Sequence, residues 1–444
     1  MQLRSKKVLV VGLARTGIEC AHFLVNQRAK VSVSDLRSET DLTQAIDALK
    51  GLPIHYLLGG EERRWLEGVD FVVPSPGVPA ENPLLQEACS RGIEILSEIE
   101  LAYRFFRLPI VAITGTNGKS TTTTLVGGML KANGTKVFIG GNIGAPLIGF
   151  VGGDWEWGVA EISSFQLEWI EEFRPRVAVL LNLSEDHLDR YPDFAAYCRA
   201  KERILENQTA TDVAVLNRDD PLVWASRQGS RARIVSFGFS EVDEGVFARA
   251  REIVWRDGSS EERFPLQKVK IQGVHNLENM MAAIAAVKTI GIPARIIQQT
   301  LEEFPGLEHR LEFVREKAGV LYYNDSKGTN VGAVVKSLAS FSAPVILLAG
   351  GVDKGGDYGA LRDGVRKRVK RLVLFGVAKE MIAKALGPLT ETVIVDNMEA
   401  AVRDAHQHAR PGNVVLLSPA CSSFDMFRNY AERGKVFKNL VQAL

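Results

Sequence analysis

The chain has little cysteine, no excess of charge of either sign and no long apolar run. Its four cysteines, Cys20, Cys89, Cys198 and Cys421, stand far apart in 444 residues and form neither a CxxC pair nor a Cys/His ligand spacing. That excludes the usual zinc-binding patterns and leaves reduced, packed thiols of a cytoplasmic protein as the expectation. The 54 basic and 53 acidic residues nearly cancel, so a broad surface for nucleic acid or anionic membrane is not expected. No stretch approaches the roughly 18 apolar residues needed to span a bilayer. The opening "MQLRSKK" before "VLVVGLA" looks superficially like a signal peptide, but its apolar part is only about seven residues long and has no cleavage pattern. A buried first strand is expected there. There is also no fixed-period repeat and no low-complexity tract.

What is present is a repeated alternation of short β-branched runs with helical periodicity. "KVLVVGL", "RTGIECAHFLVNQ", "KVSVSD", a helix near "DLTQAIDALK" and "DFVVPSPGV" follow one another in the βαβ order of a parallel, doubly wound sheet. Gly12 and Gly17 flank the first turn and Asp35 closes the second strand, where dinucleotide folds place an acid for a ribose. A GxGxxG fingerprint needs glycine at position 14, and Ala14 stands there. NAD is therefore not expected; the reading is a nucleotide-type fold with tight turns, open to a different nucleotide. The pattern restarts near Ser97 with "PIVAIT", "WGVAEIS", "VAVLLNLS" and "DVAVLN", and "WRDGSSEERFPL" reads as a hairpin. A third unit opens near "FPGLEHRLE" and carries "APVILLAGG", "RLVLFG" and "NVVLLSPA". The reading is an α/β protein of three domains with mainly parallel sheets, at residues 1–97, 98–306 and 307–444: Rossmann-like, P-loop ATPase-like and Rossmann-like in turn.

The densest chemical signal is "GTNGKSTTTT", Gly115 to Thr124, between the strand "PIVAIT" and a helix that stops at a glycine. In that context backbone N–H groups and the helix N-terminus favour an anion, Lys119 reaches terminal phosphate oxygens, and the Ser120 hydroxyl is suited to magnesium. The usual P-loop spacing would put glycine at 113, where Ile113 stands, so the loop is a shorter variant. Candidate metal carboxylates follow at the ends of later strands: Glu161 in "VAEISSFQLE", then Asp186 and Asp189 in "NLSEDHLDRY", with His187 between them. Ligands gather at the carboxyl ends of strands in open α/β sheets, and magnesium takes oxygen ligands completed by phosphates and water. Taken singly, Glu161 reads equally as a helix cap and His187 as a satisfied, capped histidine. Arg310 alone reads as a surface ion pair, Lys354 as a solvated lysine and Cys421 as a packed thiol.

In order along the chain, "TGTNGKSTTT", "GGNIGAPL", "AEISSFQLE", "NLSEDHLDRY", "GVHNLENMMAA", "GLEHRLEF", "YYNDSKGTN", "LLAGGVDKGGDY" and "SPACSSFDMF" resemble the motifs of the Mur ligases of peptidoglycan synthesis. The resemblance covers essentially the whole chain. The phosphate loop is shared with folylpolyglutamate synthases, whereas "NDSKGTN" is similar to the branch that adds D-glutamate. Guanine-reading NKxD and a kinase lid, which a GTPase or kinase would carry, are absent.

The resemblance implies an ATP-dependent amide ligase that joins D-glutamate to UDP-MurNAc-L-Ala through an acyl phosphate, with two Mg²⁺ ions, as a cytoplasmic monomer without nucleic-acid or membrane partners. It implies that Gly115, Thr116, Asn117, Gly118, Lys119, Ser120 and Thr121 hold the ATP phosphates, with Asn279 on adenine, Arg310 on a phosphate and Asp325 on the ribose. Ser120 and Glu161 would take one magnesium. His187 would help hold a second, together with a carbamylated Lys201 in "YCRAKERI", one residue nearer the histidine than the family spacing. Asn142 would meet the substrate's reactive end. His309 and Lys327 would lie near the nucleotide contacts, and Lys354, Thr329 and Ser423 would receive the D-glutamate carboxylates, with Tyr430 as a further aromatic contact and Phe424 where leucine is expected. Asp35, Arg37 and Ser75 would hold the uridine end.

Overall fold

The computed structural model describes all 444 residues as three open sheets with helices packed on them. The first sheet is wholly parallel, in the spatial order Ile54–Leu58, Lys30–Asp35, Lys7–Val11, Phe71–Pro74, Glu94–Ile95. Its order reverses between Lys7–Val11 and Phe71–Pro74, and Gly12 and Ser75 sit at the carboxyl ends on either side of that crevice. Gly12 has φ +89°, and a Cβ on Gly17 would overlap the Gly12 carbonyl oxygen, so both glycines serve the tight turn.

The second sheet has nine strands. Seven run parallel, Glu244–Arg249 at one edge and then, in order, Arg233–Gly238, Val213–Asn217, Val177–Leu180, Ile110–Thr114, Trp157–Glu161, Val137–Gly141. Beyond Glu244–Arg249 the antiparallel hairpin Glu252–Asp257 with Ser260–Pro265 closes the sheet, where "WRDGSSEERFPL" predicts one. Every residue of the strands Ile110–Thr114, Val177–Leu180 and Val213–Asn217 is buried, because helices cover both faces. This is why those strands read as continuous apolar runs rather than alternating ones. The third sheet carries one antiparallel edge strand, Glu312–Lys317, on five parallel strands ordered Val320–Asn324, Val414–Leu417, Val345–Gly350, Val369–Phe375, Glu391–Ile394.

The apolar cores are distributed unevenly. Ser97 caps the helix Glu98–Tyr103, and Leu96, Ile99 and Leu101 join Val10, Val33 and Phe71 of the first sheet to Ala112, Ala160 and Leu180 of the second in a single cluster. The opposite face of the second sheet has its own core beneath the helices Lys119–Ala132, Val274–Lys288 and Ala294–Glu303. The third sheet keeps separate cores on its two faces. All four cysteines are free thiols, three of them buried. No helix is long and apolar enough to cross a membrane.

Candidate active site

The strand Ile110–Thr114 lies between Trp157–Glu161 and Val177–Leu180, at the place where the strand order of the second sheet reverses. The loop 115–118 leaves its carboxyl end with Gly115 at φ +143° and Gly118 at φ +91°. A Cβ on Gly118 would overlap Asn279 Oδ1, so glycine is needed there for space as well as for conformation. The helix beginning at Lys119 has no side-chain cap, which leaves its first-turn N–H groups and dipole free for an anion. Lys119 Nζ donates to the carbonyls of Gly115 and Thr116, both at 2.8 Å. Burial pushes its ammonium below the ordinary lysine range, against the pull of Glu161 and Asp186.

Glu161 ends the neighbouring strand and is buried. Burial raises its carboxyl, but the Lys119 charge, the nearby Ser120 hydroxyl, the Asn142 hydrogen bond and the Arg310 charge outweigh that and hold it below the usual range. Asn142 Nδ2 donates to Oε1 at 2.7 Å, while Oε2 is buried without any partner. An ionised carboxylate with an unpartnered buried oxygen beside a phosphate loop fits a hard cation.

The loop after Val177–Leu180 supplies the rest. His187 takes a left-handed backbone, φ +57°, which is strained for a residue with a Cβ and is tolerated chiefly where the surroundings impose it. Its ring meets Phe165 edge-on at 4.8 Å, and burial first of all pulls its pKa down to about 4, leaving a neutral imidazole with a lone pair. Asp186 accepts from Asn330 Nδ2 at 3.1 Å and Lys354 Nζ at 3.5 Å. Lys201 is only 2% exposed and its Nζ lies 4.7 Å from the Tyr197 ring centroid. Burial, then the Lys119 charge, push its pKa well below the lysine range, toward the neutral amine that carbamate formation requires.

A cavity of about 620 Å³ brings together Thr116, Asn117, Gly118, Lys119, Asn142, Glu161, His187, Lys201, Arg310, Lys327, Thr329, Lys354, Ser423 and Tyr430. An adjoining pocket shares Asn117, Gly118, Arg310 and Lys327 with it and adds Thr121, Asn279 and Asp325. Arg310 crosses from the third unit to donate to Ser120 Oγ at 2.8 Å. Its neighbours His309 and Leu311 both have positive φ, which marks the segment as held in place. Asp325 lines the pocket, yet its carboxylate is buried and accepts from Ser337 Oγ and Ser418 Oγ, each at 2.7 Å, and from the Leu311 N–H at 3.2 Å. It braces three segments around that pocket. Lys327 Nζ lies 3.7 Å from the Tyr430 ring centroid, and burial followed by the Arg310 charge lowers its pKa to about 7.

The remaining three candidates form a separate corner on the first sheet. Asp35 accepts from the Leu13 N–H at 2.8 Å and from Arg37 N, Nε and Nη2 at 2.9 to 3.0 Å. Burial raises this carboxyl, but Arg37 and the backbone donors bring it down to about 2. Ser75 Oγ donates to the Gly12 carbonyl at 2.6 Å, across the crevice where the strand order reverses.

Comparison with known proteins gives the same three-part division. Family models match residues 6–97 (Mur ligase MurD-like, N-terminal domain), 113–287 (Mur ligase middle domain) and 309–421 (Mur ligase, glutamate ligase domain). The UDP-N-acetylmuramoylalanine--D-glutamate ligase of Trichlorobacter lovleyi is 51% identical over 447 residues, covering 100% of both chains. Its counterpart in Geobacter metallireducens is 52% identical over 451 residues, covering 100% of this chain and 99% of that one. The chain belongs to the Mur ligase family. Its fold is shared with a pseudomurein peptide ligase type C from Methanothermus fervidus, at TM-score 0.64 and 19% identity over 99% of this chain and 100% of that one. MurF from Acinetobacter baumannii is similar at TM-score 0.63 and 18% identity, over 99% and 91% of the two chains.

Several residues of this Mur ligase site are not evident from the motifs. Asn182 braces the phosphate loop in both directions: its Oδ1 accepts from the Asn117 N–H at 2.8 Å and its Nδ2 donates to the Asn117 carbonyl at 3.0 Å. Arg190 donates to the carbonyls of Pro76 and Val78, each at 3.0 Å, and to Glu168 at 2.6 Å, with its guanidinium 4.2 Å from the Phe165 ring centroid. It therefore latches the 75–78 loop of the first unit to the His187 segment. Asn330 reaches both Asn117 and Asp186 from the third unit. Asn182 and Arg190 stand within "NLSEDHLDRY" and Asn330 closes "YYNDSKGTN", but nothing in those motifs shows which segments they grip.

Proposed function

We propose that this chain is an ATP-dependent ligase that adds D-glutamate to UDP-N-acetylmuramoyl-L-alanine in peptidoglycan precursor synthesis. The observation that carries the reading is one cavity lined by the phosphate loop, by Glu161, His187 and Lys201, and by Lys354, Thr329 and Ser423. Full-length identity of about half to D-glutamate ligases supports the choice of amino acid. The unpartnered Glu161 oxygen supports a Mg²⁺ site with Ser120, and neutral His187 with buried Lys201, whose amine is suited to carbamylation, supports a second. Bound magnesium would neutralise the phosphate oxygens. We take the units as 1–97 for the UDP-substrate, 98–306 for ATP and 307–444 for the amino acid, in a monomer working in the cytoplasm.

A carboxylate is a poor acyl donor because its oxide leaves badly, whereas a phosphate leaves readily. The alanine carboxylate therefore attacks the ATP γ-phosphorus, ADP departs, and an acyl phosphate forms. Lys119 and Arg310 offset the charge on the transferring group. Asn142 orients the carboxylate end, and Asp35, Arg37 and Ser75 hold the uridine end, so the reacting atoms are positioned by binding remote from them. Lys354, Thr329 and Ser423 grip the D-glutamate carboxylates, its free amine attacks the acyl carbon, and the tetrahedral adduct collapses with release of phosphate. Two carboxylates held at one separation discriminate strongly, since a misplaced one leaves buried donors unpaired.

The test is incubation with ATP, Mg²⁺, UDP-N-acetylmuramoyl-L-alanine and one amino acid at a time, with product read by mass. D-Glutamate should give product and stoichiometric ADP, at a kcat/KM at least about a hundredfold above L-glutamate, D-aspartate or meso-diaminopimelate. Equal use of D- and L-glutamate would sink the assignment.

A further inference from the structure

Lys354 is carried on a segment that has little reason to stay in place. Gly350, Gly351, Gly355 and Gly356 surround it between the strand Val345–Gly350 and the short turn Tyr358–Leu361, and its own ammonium has only the long 3.5 Å contact to Asp186. Glycines maximise the freedom such a loop must lose to present one charge at one position. The restraint comes from Asp353. Its Oδ2 accepts from the Gly355 N–H at 2.9 Å, closing an Asx turn with Lys354 at its centre. Its Oδ1 accepts from the Tyr358 hydroxyl at 2.7 Å, which ties the far end of the loop to the same carboxylate.

The phenol is itself fixed. Tyr358 is 4% exposed and packs in the core of the third unit with Val334, Leu338 and Leu361. Its oxygen lies 3.1 Å from Sγ of the fully buried Cys421. Since the phenol proton goes to Asp353, the thiol donates to the phenol oxygen, and a chain of two hydrogen bonds runs from Cys421 to the carboxylate. Beside it, Val352 and Ser422 exchange backbone hydrogen bonds at 3.0 and 2.9 Å. The Lys354 loop is thereby stitched to the segment that bears Ser423.

We propose that Tyr358 is a positioning residue for the amino-acid substrate: through Asp353 its hydroxyl sets the turn that aims Lys354, and Cys421 serves as the donor that orients the phenol. This rests on the reading that Lys354 receives a D-glutamate carboxylate. Removing the hydroxyl leaves the packing intact and frees the loop, so amino-acid affinity should suffer while the ATP and UDP-substrate sites do not.

The decisive variant is Tyr358→Phe in the full chain, beside Asp353→Asn and Lys354→Ala, with KM for all three substrates, kcat and thermal melting measured for each. Tyr358→Phe should raise KM for D-glutamate about tenfold, the scale of one hydrogen bond to a charged group. KM for ATP and for the UDP-substrate should stay as in the parent, and Asp353→Asn should reproduce the pattern. If Lys354→Ala raises KM for D-glutamate but Tyr358→Phe and Asp353→Asn do not, or if they raise all three KM values alike, the positioning role is overturned while the reading of the site stands. If Lys354→Ala leaves KM for D-glutamate unchanged, the reading fails and the proposal with it. Should Tyr358→Phe not fold, Asp353→Asn carries the same decision.

Discussion

A buried lysine is the most informative single residue in this molecule. Lys201 offers no hydrogen-bond partner to its charge and has Lys119 as a neighbour, so its ammonium form is opposed by both burial and repulsion. We propose that the neutral amine takes up CO₂ to give an anionic carbamate, which would reverse the sign of the charge beside the phosphate loop. We expect Lys201→Ala to be nearly inactive and added formate or acetate to restore part of the activity, with intact-protein mass under bicarbonate reading the carbamate directly. Full activity of the alanine variant without added acid would dismiss the role. Lys327 gives a second test at this scale. Its pKa of about 7 lies below the ordinary 10.5 because of burial and then Arg310. An anionic phosphate beside it favours the charged form, so binding raises the pKa and takes up a proton in the window between those two values. Metal-free ADP should therefore bind with uptake approaching one proton near about pH 8 and little below about pH 6. Calorimetry in Tris and in HEPES reads this uptake, and Lys327→Met should abolish it.

At the scale of elements, the Arg190 latch connects two units that the motifs describe separately. Its guanidinium and the Glu168 carboxylate are each only 12% exposed, so truncation to alanine strands a buried charge, a loss of about 3 to 5 kcal/mol. That change confounds stability with function. Arg190→Lys is the sharper probe, because a lysine keeps the charge but cannot fork to the Pro76 and Val78 carbonyls together. It should raise KM for the UDP-substrate several-fold with KM for ATP unchanged. An equal rise in both would mean that the latch holds the fold and not the substrate loop. The motif "NLSEDHLDRY" announced a loop after a strand, and the structure has one after Val177–Leu180. It did not announce that this loop would grip carbonyls more than 110 residues away, since backbone acceptors leave no trace in side-chain pattern.

The whole molecule is held together by two unlike kinds of contact. An apolar core runs without a break from the first sheet into the second, while the third unit meets the second through polar side chains: Arg310 with Ser120, Asn330 with Asn117 and Asp186, Lys354 with Asp186, and Lys336 with Glu278 at 2.6 Å. Of these, the ion pairs Lys354–Asp186 and Lys336–Glu278 contribute roughly 0 to 1 kcal/mol each and weaken with salt. The third unit should therefore swing away as a body in concentrated salt without nucleotide and return when ATP analogue and UDP-substrate bind. X-ray scattering would register this as an increase and then a decrease in radius of gyration, with the first two units staying together throughout. A radius insensitive to both salt and ligands would mean that the interface is stronger than its chemistry implies.

Alternation of β-branched runs with helical spacing determined the three α/β units, because side-chain periodicity is a local property that the chain carries with it. The phosphate loop was legible for the same reason: glycine, lysine and serine must be adjacent in sequence to wrap one anion. So was the chemical character of Glu161 and His187, though each alone read equally as a capped or solvated side chain, whereas Lys201 stood out only through the family resemblance. Only the tertiary structure decided their surroundings: Glu161 is buried with one oxygen unpartnered, His187 takes a left-handed backbone and Lys201 is buried at the cavity wall. It also decided that Asp325 spends its oxygens on Ser337, Ser418 and the Leu311 N–H, and that Tyr358 and Cys421 stand behind Lys354. These are contacts between strand ends and loops that meet only after three sheets have packed, and burial, which sets both charge state and hydrogen-bond demand, is a property of the packed chain.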